Sequence, residues 1–301
     1  MVKRRGTDEV VYQAICGVLI VSLVIACILP ILYVVSMSLT SKDEVIRNSG
    51  RYVLFPGEYT FAAYQWLFNG GWIPNAMFIS LARTVTGTAA TLAVTSMGAF
   101  VLSRSELPGR RFFILVILVT ILFPGGLIPN YLLIDSLKLK NNFLVFILPM
   151  LVDCWGLLVI KQFMEQLPDS LPEAAEIDGA GQFSIFTRVF IPLSKPVLAA
   201  IGLFTAVAHW NSWFDSLLYV SNDKLWPFQY VLRNILQGYL NIQASTGQAA
   251  QSAYVISLQN RTNSQSMQMA AVIIGTAPII VVYPFLQKHF AKGMLTGSVK
   301  G

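Results

Sequence analysis

The sequence predicts an all-α integral membrane protein with six transmembrane helices. Of its 301 residues, 55% are hydrophobic and 12% are charged, whereas soluble domains carry roughly 25% charged residues. No charged residue occurs in 10–41, 112–134 or 262–287, and each stretch is longer than the roughly 20 residues that a membrane-spanning helix needs. The alternative is a soluble α/β enzyme, but its buried strands would give apolar runs of only about 4–8 residues.

Each predicted helix corresponds to one apolar stretch of the chain. We place the six helices at Tyr12–Met37, Met77–Ser103, Phe112–Ile134, Phe143–Met164, Pro196–Val220 and Met267–Gln287. The first is not expected to be a cleaved signal peptide, because its apolar region exceeds the usual length of about 7–15 residues. We therefore predict a single transmembrane domain over 1–301, with a core at 77–288 that is preceded by the helix at 12–37.

Basic residues indicate the orientation in the membrane. The N-terminal tail contains Lys3, Arg4 and Arg5, and the short connection 104–111 contains three further arginines. Because Lys and Arg accumulate in cytoplasmic loops, both ends of the chain are predicted to be cytoplasmic. The basic residues flank the apolar stretches and form no stripe, so the net charge of +6 does not indicate nucleic-acid binding.

Prolines and glycines interrupt three of the predicted helices. They are Pro124, Gly125, Gly126 and Pro129 in the third helix, Pro149 in the fourth, and Pro278 and Pro284 in the sixth. Each interruption is either a simple kink or a broken helix, and broken helices are tolerated in lipid where protein or a water-filled cavity satisfies the backbone. The small residues of 84–99 predict that the second helix packs closely against its neighbours.

The sequence shows no motif or residue cluster of the kinds that carry out catalysis. The three cysteines lie in apolar stretches and two histidines make no metal site, so neither a disulfide framework nor a metal is predicted. There is no Gly-x-x-x-x-Gly-Lys-Ser/Thr phosphate loop and no nucleophile–base cluster. The chain is therefore not expected to be an enzyme or to hydrolyse ATP.

The connection 169–192, between the fourth and fifth helices, has an ordered local pattern. Ser170 and Glu173 have the spacing of a capping box, and Pro172 suits a first helical turn. Gly179 and Gly181 then interrupt the pattern, which predicts a short helix, a turn and a second helix over 183–190. Glu173 and Asp178 would be available to basic groups of another protein, although the capping box alone would account for Glu173.

This connection resembles the EAA loop of binding-protein-dependent ABC importer permeases. The similarity is carried by the run Glu-Ala-Ala-Glu-Ile-Asp-Gly-Ala at 173–180, followed by Phe186, Val189 and Pro192. It implies a MetI-like type I ABC importer permease fold with a cytoplasmic coupling helix that docks into a cleft of an ATPase subunit. The residues to which the resemblance gives this coupling role are Glu173, Ala174, Ala175, Asp178, Gly179, Ala180, Phe186 and Pro192.

The resemblance extends over nearly the whole chain. Residues 99–113 are similar to the family's junction between the second and third helices, and 293–301 to the tail of the maltose-type permease subunit. Residues 123–131 and 210–215 are similar to the LplC/YtcP-like branch. This implies oligosaccharide import across a bacterial plasma membrane. The implied partners are a second homologous permease, two ATPase subunits of the same or different kind, an extracellular solute-binding protein and membrane lipid. ATP and Mg would be bound by the ATPase, with no cofactor in this chain.

Two carboxylates, Asp153 and Asp215, fall inside predicted helices. A charge at the bilayer centre costs at least about 2.5–3.5 kcal/mol and marks a candidate functional site. Together with Trp155, Trp210 and Asn211, these acids offer the aromatic faces and hydrogen-bonding groups that suit a sugar in the substrate path. Hydrogen bonding between helices is the alternative role.

The stretch 229–268 is polar and contains few charged residues. By resemblance to the maltose-type subunit, this stretch inserts into the binding protein, and a flexible linker is the alternative.

An ion-coupled secondary transporter is the other functional hypothesis. That class usually shows internal repeats and coupling carboxylates at matched positions, and neither pattern is found in this sequence.

Overall fold

The computed structural model describes residues 7–48, 55–69, 72–237 and 263–297. These residues form helices and connections, and they contain no strand beyond an isolated bridge between Thr40 and Tyr59. The first eight helices are α1 Thr7–Ser38, α2 Lys42–Arg47, α3 Ala62–Asn69, α4 Trp72–Ser103, α5 Arg110–Leu122, α6 Leu127–Ser136, α7 Cys154–Met164 and α8 Ser170–Ile177. The others are α9 Gln182–Leu193, α10 Lys195–Asn211, α11 Phe214–Tyr219, α12 Phe228–Leu236 and α13 Ser264–Gly297, with 3-10 turns at Phe143–Phe146, Leu148–Met150 and Asp223–Leu225.

Three single helices in the described part of the chain are long and apolar enough to cross a membrane, namely α1, α4 and α13. Three further candidates are pairs of helical segments with a sharp bend. The bends are 112° between α5 and α6, 48° between 143–150 and α7, and 83° between α9 and α10. Six membrane crossings result if each bent pair counts as one span. The third and fourth predicted helices are therefore broken segments, and the fifth is interrupted after Asn211.

The first two breaks have causes that are visible in the sequence. Gly126 precedes α6 with φ 86°, a backbone conformation that glycine adopts without strain. Pro149 lies in the second 3-10 turn, and Asp153 then caps α7 by accepting a hydrogen bond from the backbone N–H of Gly156 at 2.9 Å. The chain therefore restarts each helix with a defined local conformation.

The third break is separate from the 83° bend between α9 and α10. It lies at Ser212 and Trp213, between α10 and α11, and contains neither proline nor glycine. Ser212 has extended backbone angles, φ −72° and ψ 129°. The Arg83 guanidinium donates a hydrogen bond to the Ser212 carbonyl at 3.3 Å. A carbonyl without its helical partner needs another donor in an apolar environment, and Arg83 supplies it.

The chain folds into two compact units. One contains 73–234 and the described residues from 277 onward, and its core is formed mainly by α4, α7, α9 and α10. The Phe100 ring of α4 lies 5.3 Å from the Phe186 ring and 4.9 Å from the Phe190 ring of α9, measured between centroids. Ile160 and Ile201 are fully or almost fully buried in the same cluster.

The other unit contains the described residues of 1–72 and 235–276. An 18-residue window of α1 has no buried residue, which suits a helix whose apolar side chains face lipid. The end of α1 is tied down by polar contacts, including a 2.8 Å hydrogen bond between the hydroxyls of Ser38 and Tyr64. Ser266 at the start of α13 donates its hydroxyl to the Thr40 carbonyl at 3.0 Å, so three elements of this unit meet near residue 40.

Candidate functional site

The loop 169–192 contains the two predicted helices, α8 and the longer α9. Between them, Gly179 has φ 80°. Its N–H donates to the Glu176 carbonyl at 3.0 Å, and the N–H of Ala180 donates to the Ala175 carbonyl at 2.9 Å. This is the usual way in which a left-handed glycine ends a helix, and it turns the chain into α9.

The predicted capping box at the start of this loop is wrong. Asp169 precedes α8 in a helical conformation, and no side chain caps the helix. The N–H of Glu173 instead donates to the backbone carbonyl of Asp169 at 3.2 Å. The carboxylate of Glu173 is consequently not used as a cap, and it lies on the exposed surface of α8.

The structure divides the predicted coupling residues into exposed and buried sets. The exposed residues are Glu173, Ala174, Asp178, Gly179 and Pro192. Ala175 and Ala180 are partly buried and pack against the core of their unit. Phe186 is only 6% exposed and is one of the core aromatic residues. Phe186 therefore anchors the loop in the core and offers almost no surface to a partner.

Two residues missed in the sequence are the most exposed large apolar side chains of this loop. Ile177 is 87% exposed and Phe183 is 71% exposed. They lie on either side of the turn at 178–181, where large apolar residues would be unusual without a partner. The available sequence signal was that these two large apolar residues flank a turn that contains Gly179 and Gly181.

Two ion pairs connect this loop region to the junction between α4 and α5. Arg104 Nη2 lies 2.5 Å from Glu176 Oε1, which also accepts a hydrogen bond from Gln182 Nε2 at 3.0 Å. Arg110 pairs with Glu165, after the end of α7. Arg104 of the junction therefore contacts α8, which is in turn hydrogen-bonded to α9, and Arg110 contacts the end of the preceding span. Both arginines and Glu173 line a cavity of about 390 Å³.

A second polar site contains a buried ion pair between α4 and α11. Arg83 is 0% exposed, and its Nη2 lies 2.5 Å from Oδ2 of Asp215, which is 17% exposed. Arg83 Nη1 lies 3.3 Å from Asp215 Oδ1, and the Cζ atom lies 4.5 Å from the centroid of the Phe146 ring. The sequence analysis did not predict a role for Arg83 or this contact.

Asp215 also lines a cavity of about 290 Å³ at the broken helices. The wall includes Asn130 of α6, Met150 of the second 3-10 turn, and Tyr219 of α11. The Tyr219 ring stacks on the Tyr131 ring with centroids 6.0 Å apart. The cavity is therefore shaped by the segments on which the three breaks occur.

The remaining predicted path residues do not line this cavity. Asp153 caps α7, as described above, and Trp155 is 55% exposed with its ring edge-on to another aromatic residue. Trp210 is buried at 6% exposure. Asn211 is exposed and accepts a hydrogen bond from Gln229 at 3.4 Å. The structure thus brings only Asp215 of the five to the cavity.

Beyond this cavity, Lys140 lies above the same aromatic pair. Its Nζ is 4.1 Å from the centroid of the Tyr131 ring and 2.9 Å from Asp135 Oδ1. The hydrogen bond with the Tyr131 hydroxyl, followed by the one with Asp135, raises the pKa of Lys140. Lys140 therefore carries its charge throughout the neutral range, balanced by Asp135.

No group of three or more His, Cys, Asp or Glu that could hold a metal ion occurs among the residues that the structure describes. The polar sites consist of ion pairs and hydrogen bonds on broken apolar helices. Together with the candidate membrane spans, these features are those of a membrane-embedded protein.

Comparisons with known proteins identify the class. The family model described as "Binding-protein-dependent transport system inner membrane component" matches residues 99–296, and the chain belongs to this family. It is 40% identical to Protein LplC of Bacillus subtilis (strain 168), over 91% of this chain and 90% of that protein. It is 35% identical to the polygalacturonan/rhamnogalacturonan transport system permease protein YtcP of the same organism, over 99% of this chain and 100% of that protein.

A solved structure has the same fold. It is a chain of a bacterial ABC transporter involved in the import of the acidic polysaccharide alginate, with a TM-score of 0.86 and 26% sequence identity. The match covers 96% of this chain and 99% of that chain. The predicted all-α MetI-like permease fold and the predicted family are therefore confirmed, and the chain is an ABC transporter permease subunit.

Proposed function

We propose that this chain is one translocation subunit of an ATP-driven importer of oligosaccharides in a bacterial plasma membrane. The named substrates of YtcP and of the alginate transporter support a carbohydrate as cargo. In this proposal a second homologous permease completes the pathway, two ATPase subunits bind ATP and Mg, and an extracellular protein delivers the sugar. Both ends of the chain lie in the cytoplasm.

One observation supports the coupling role above all others, namely the exposure of Ile177 and Phe183 at the turn between α8 and α9. Exposed apolar surface that forms one patch rimmed by polar residues marks a site of protein contact, and Ile177 and Phe183 flank the same turn at 178–181. In the proposed complex they enter a cleft on the ATPase subunit, beside the exposed Glu173 carboxylate. Glu173 and Asp178 are available there to basic groups of the ATPase.

Movement of the ATPase would reach the membrane helices by two routes. The first is along α9, which continues through the core residues Phe186 and Phe190 to the bend before α10. The second is through the ion pair of Glu176 with Arg104, at the end of α4. Closure of the ATPase dimer thus changes the arrangement of the spans that face the substrate, which gives alternating access.

The test is to reconstitute the chain with its partners. Co-expression with a second permease, an ATPase and a binding protein should yield a complex whose ATPase activity rises when the sugar-loaded binding protein is added. The double variant Ile177→Ser/Phe183→Ser should lose this stimulation and release the ATPase subunit on purification. Transport by the chain alone, energised by an ion gradient, would contradict the proposal.

A further inference from the structure

The cavity beside Asp215 lies where three broken spans meet. Its wall is formed by α6 after the first break, the 3-10 turns before α7, and the segment from Ser212 to Tyr219. Non-helical backbone at membrane depth is tolerated where it lines a cavity within protein. The three breaks therefore share one structural explanation, which is that they create this cavity.

The size of the cavity limits what it can hold. Ligand pockets usually measure about 300–1,000 Å³, and this one is about 290 Å³. The volume suits a single sugar ring and is too small for an oligosaccharide. Phe214 and Leu218 provide apolar wall, and the polar side chains are those of Asn130, Ser212, Asp215 and Tyr219, which is the usual composition of a small-molecule site.

Asp215 retains capacity to accept a hydrogen bond from a ligand. An ionised carboxylate has about four acceptor positions. Oδ1 accepts from Arg83 Nη1 at 3.3 Å, from the N–H of Ser216 at 2.8 Å and from the Ser216 hydroxyl at 3.5 Å. Among the described residues, Oδ2 accepts only from Arg83 Nη2, at 2.5 Å. The carboxylate is thus fixed from behind by a buried cation, with one acceptor position left on Oδ2.

The polar side chains of Asn130 and Tyr219 complement this acceptor. Asn130 is exposed at the start of α6, and its amide carries both donors and an acceptor. The hydroxyl of Tyr219 can donate or accept, while stacking on Tyr131 holds its ring in place. This set matches the neighbouring hydroxyl groups of a sugar, which also donate and accept.

The charge in the cavity selects against an acid group at this position. None of the residues that line it is Lys or Arg, and Arg83 is fully buried and engaged with Asp215. A carboxylate of a sugar acid would face Asp215 without a cation of its own. We propose that this cavity binds one sugar ring of the transported oligosaccharide through its hydroxyl groups, with Arg83 as a positioning residue. The inference rests on the proposed function.

The experiment uses the complete transporter in proteoliposomes, with saturating loaded binding protein. The probes are a neutral arabino-oligosaccharide and an oligogalacturonide, and the measured quantity is sugar imported per ATP hydrolysed. Asn130→Ala and Tyr219→Phe should each lower this ratio roughly three- to tenfold, the effect of losing one hydrogen bond. Sugar affinity of the binding protein and ATPase activity without sugar should stay unchanged.

Asn75→Ala is the matched control, because the Asn75 amide donates to the Lys224 carbonyl at 2.9 Å and does not line the cavity. It should leave the ratio unchanged. Wild-type ratios in both cavity variants would overturn the cavity assignment alone, provided that the unmodified transporter imports sugar. A loss confined to the acidic probe would also overturn it. Failure of the unmodified transporter to import any saccharide would overturn the proposed function and this inference together.

Discussion

Arg104, one residue beyond the end of α4, holds Glu176 of the coupling helix α8 in an ion pair of 2.5 Å. The same Glu176 oxygen accepts a hydrogen bond from Gln182 at the start of α9. A single carboxylate thus joins the second membrane span to both helices of the loop that we propose as the ATPase contact. The two residues of this ion pair are distant in sequence. Replacing Arg104 removes the pair without changing any residue of the proposed ATPase contact.

Charge reversal tests this ion pair. Arg104→Glu would place two carboxylates together, so sugar transport per ATP hydrolysed should fall severalfold while the subunits still assemble. Combining it with Glu176→Arg should restore most of the ratio, because the pair is re-formed with opposite polarity. Arg111→Glu is the control, since Arg111 is exposed and has no ion pair among the described residues. Equal loss in the single and double variants would contradict a coupling role of the pair.

Replacing Ile177 and Phe183 separately should weaken the association of the ATPase. Each is an almost fully exposed apolar residue, and burial of a large side chain at an interface stabilises it by about 1.5–3 kcal/mol. Titration of purified ATPase onto the permease pair should show a Kd increase of at least tenfold for Ile177→Ser or Phe183→Ser. Ile46→Ser, at a 65% exposed position of α2, should bind like the unmodified chain.

Phe186 and Phe183 offer a comparison of one substitution in two environments. Phe186 is 6% exposed in the core, whereas Phe183 is 71% exposed. Phe186→Ala should destabilise the protein by about 3–5 kcal/mol through loss of buried contacts and formation of a cavity. Phe183→Ala should change stability by no more than about 0.5 kcal/mol. Thermal unfolding in detergent distinguishes the two, and similar melting temperatures would contradict the assigned burial.

Two glycines near the turn should respond differently to the same added methyl group. Gly179 has φ 80°, Gly181 has φ −70°, and neither has an atom within 4 Å of the position that a Cβ would occupy. Only the backbone conformation therefore differs. Gly179→Ala should cost about 1–2 kcal/mol and reduce stimulation of the ATPase, and Gly181→Ala should be tolerated. A larger loss of stability in the Gly181 variant would exclude this explanation.

The buried pair of Arg83 and Asp215 should tolerate joint replacement better than single replacement. Removing one partner of a buried ion pair costs about 3–5 kcal/mol, and the lower end applies because Asp215 is 17% exposed. Arg83→Met should therefore lower the melting temperature in detergent. Arg83→Met/Asp215→Leu should recover much of the stability without recovering transport. If the double variant melted below the single one, the ion pair would not be the cause.

Apolar stretches and local motifs predicted much of this protein. The long apolar stretches predicted six membrane helices, and the structure has three single candidate spans, or six if each bent pair counts as one. The run at 173–180 correctly indicated the family and a helix–turn–helix loop. The break at Pro124–Gly126 was visible because proline and glycine act on the backbone locally. The break at Ser212 was not visible, because its carbonyl is stabilised by Arg83, 129 residues earlier.

The candidate sites were predicted in part for the same reason. Asp215 was recognised as a costly charge in an apolar stretch, but the sequence could not show that its partner is Arg83. Likewise, Glu173 has the spacing of a capping box, and only the backbone geometry at Asp169 excludes it. Contacts between distant segments and the exposure of Ile177 and Phe183 depend on tertiary packing, which local patterns do not specify.

The 112° bend between α5 and α6 has a consequence for the surrounding lipid. The 13 residues of α5 extend only about 20 Å at 1.5 Å per residue, whereas the hydrocarbon core of a bilayer is about 30 Å thick. Where this short segment faces lipid, the mismatch is accommodated by local thinning of the bilayer, by snorkelling of flanking residues or by packing against another subunit, each at an energetic cost. The transport rate should consequently depend on acyl-chain length, so that membrane thickness itself becomes a regulator of import.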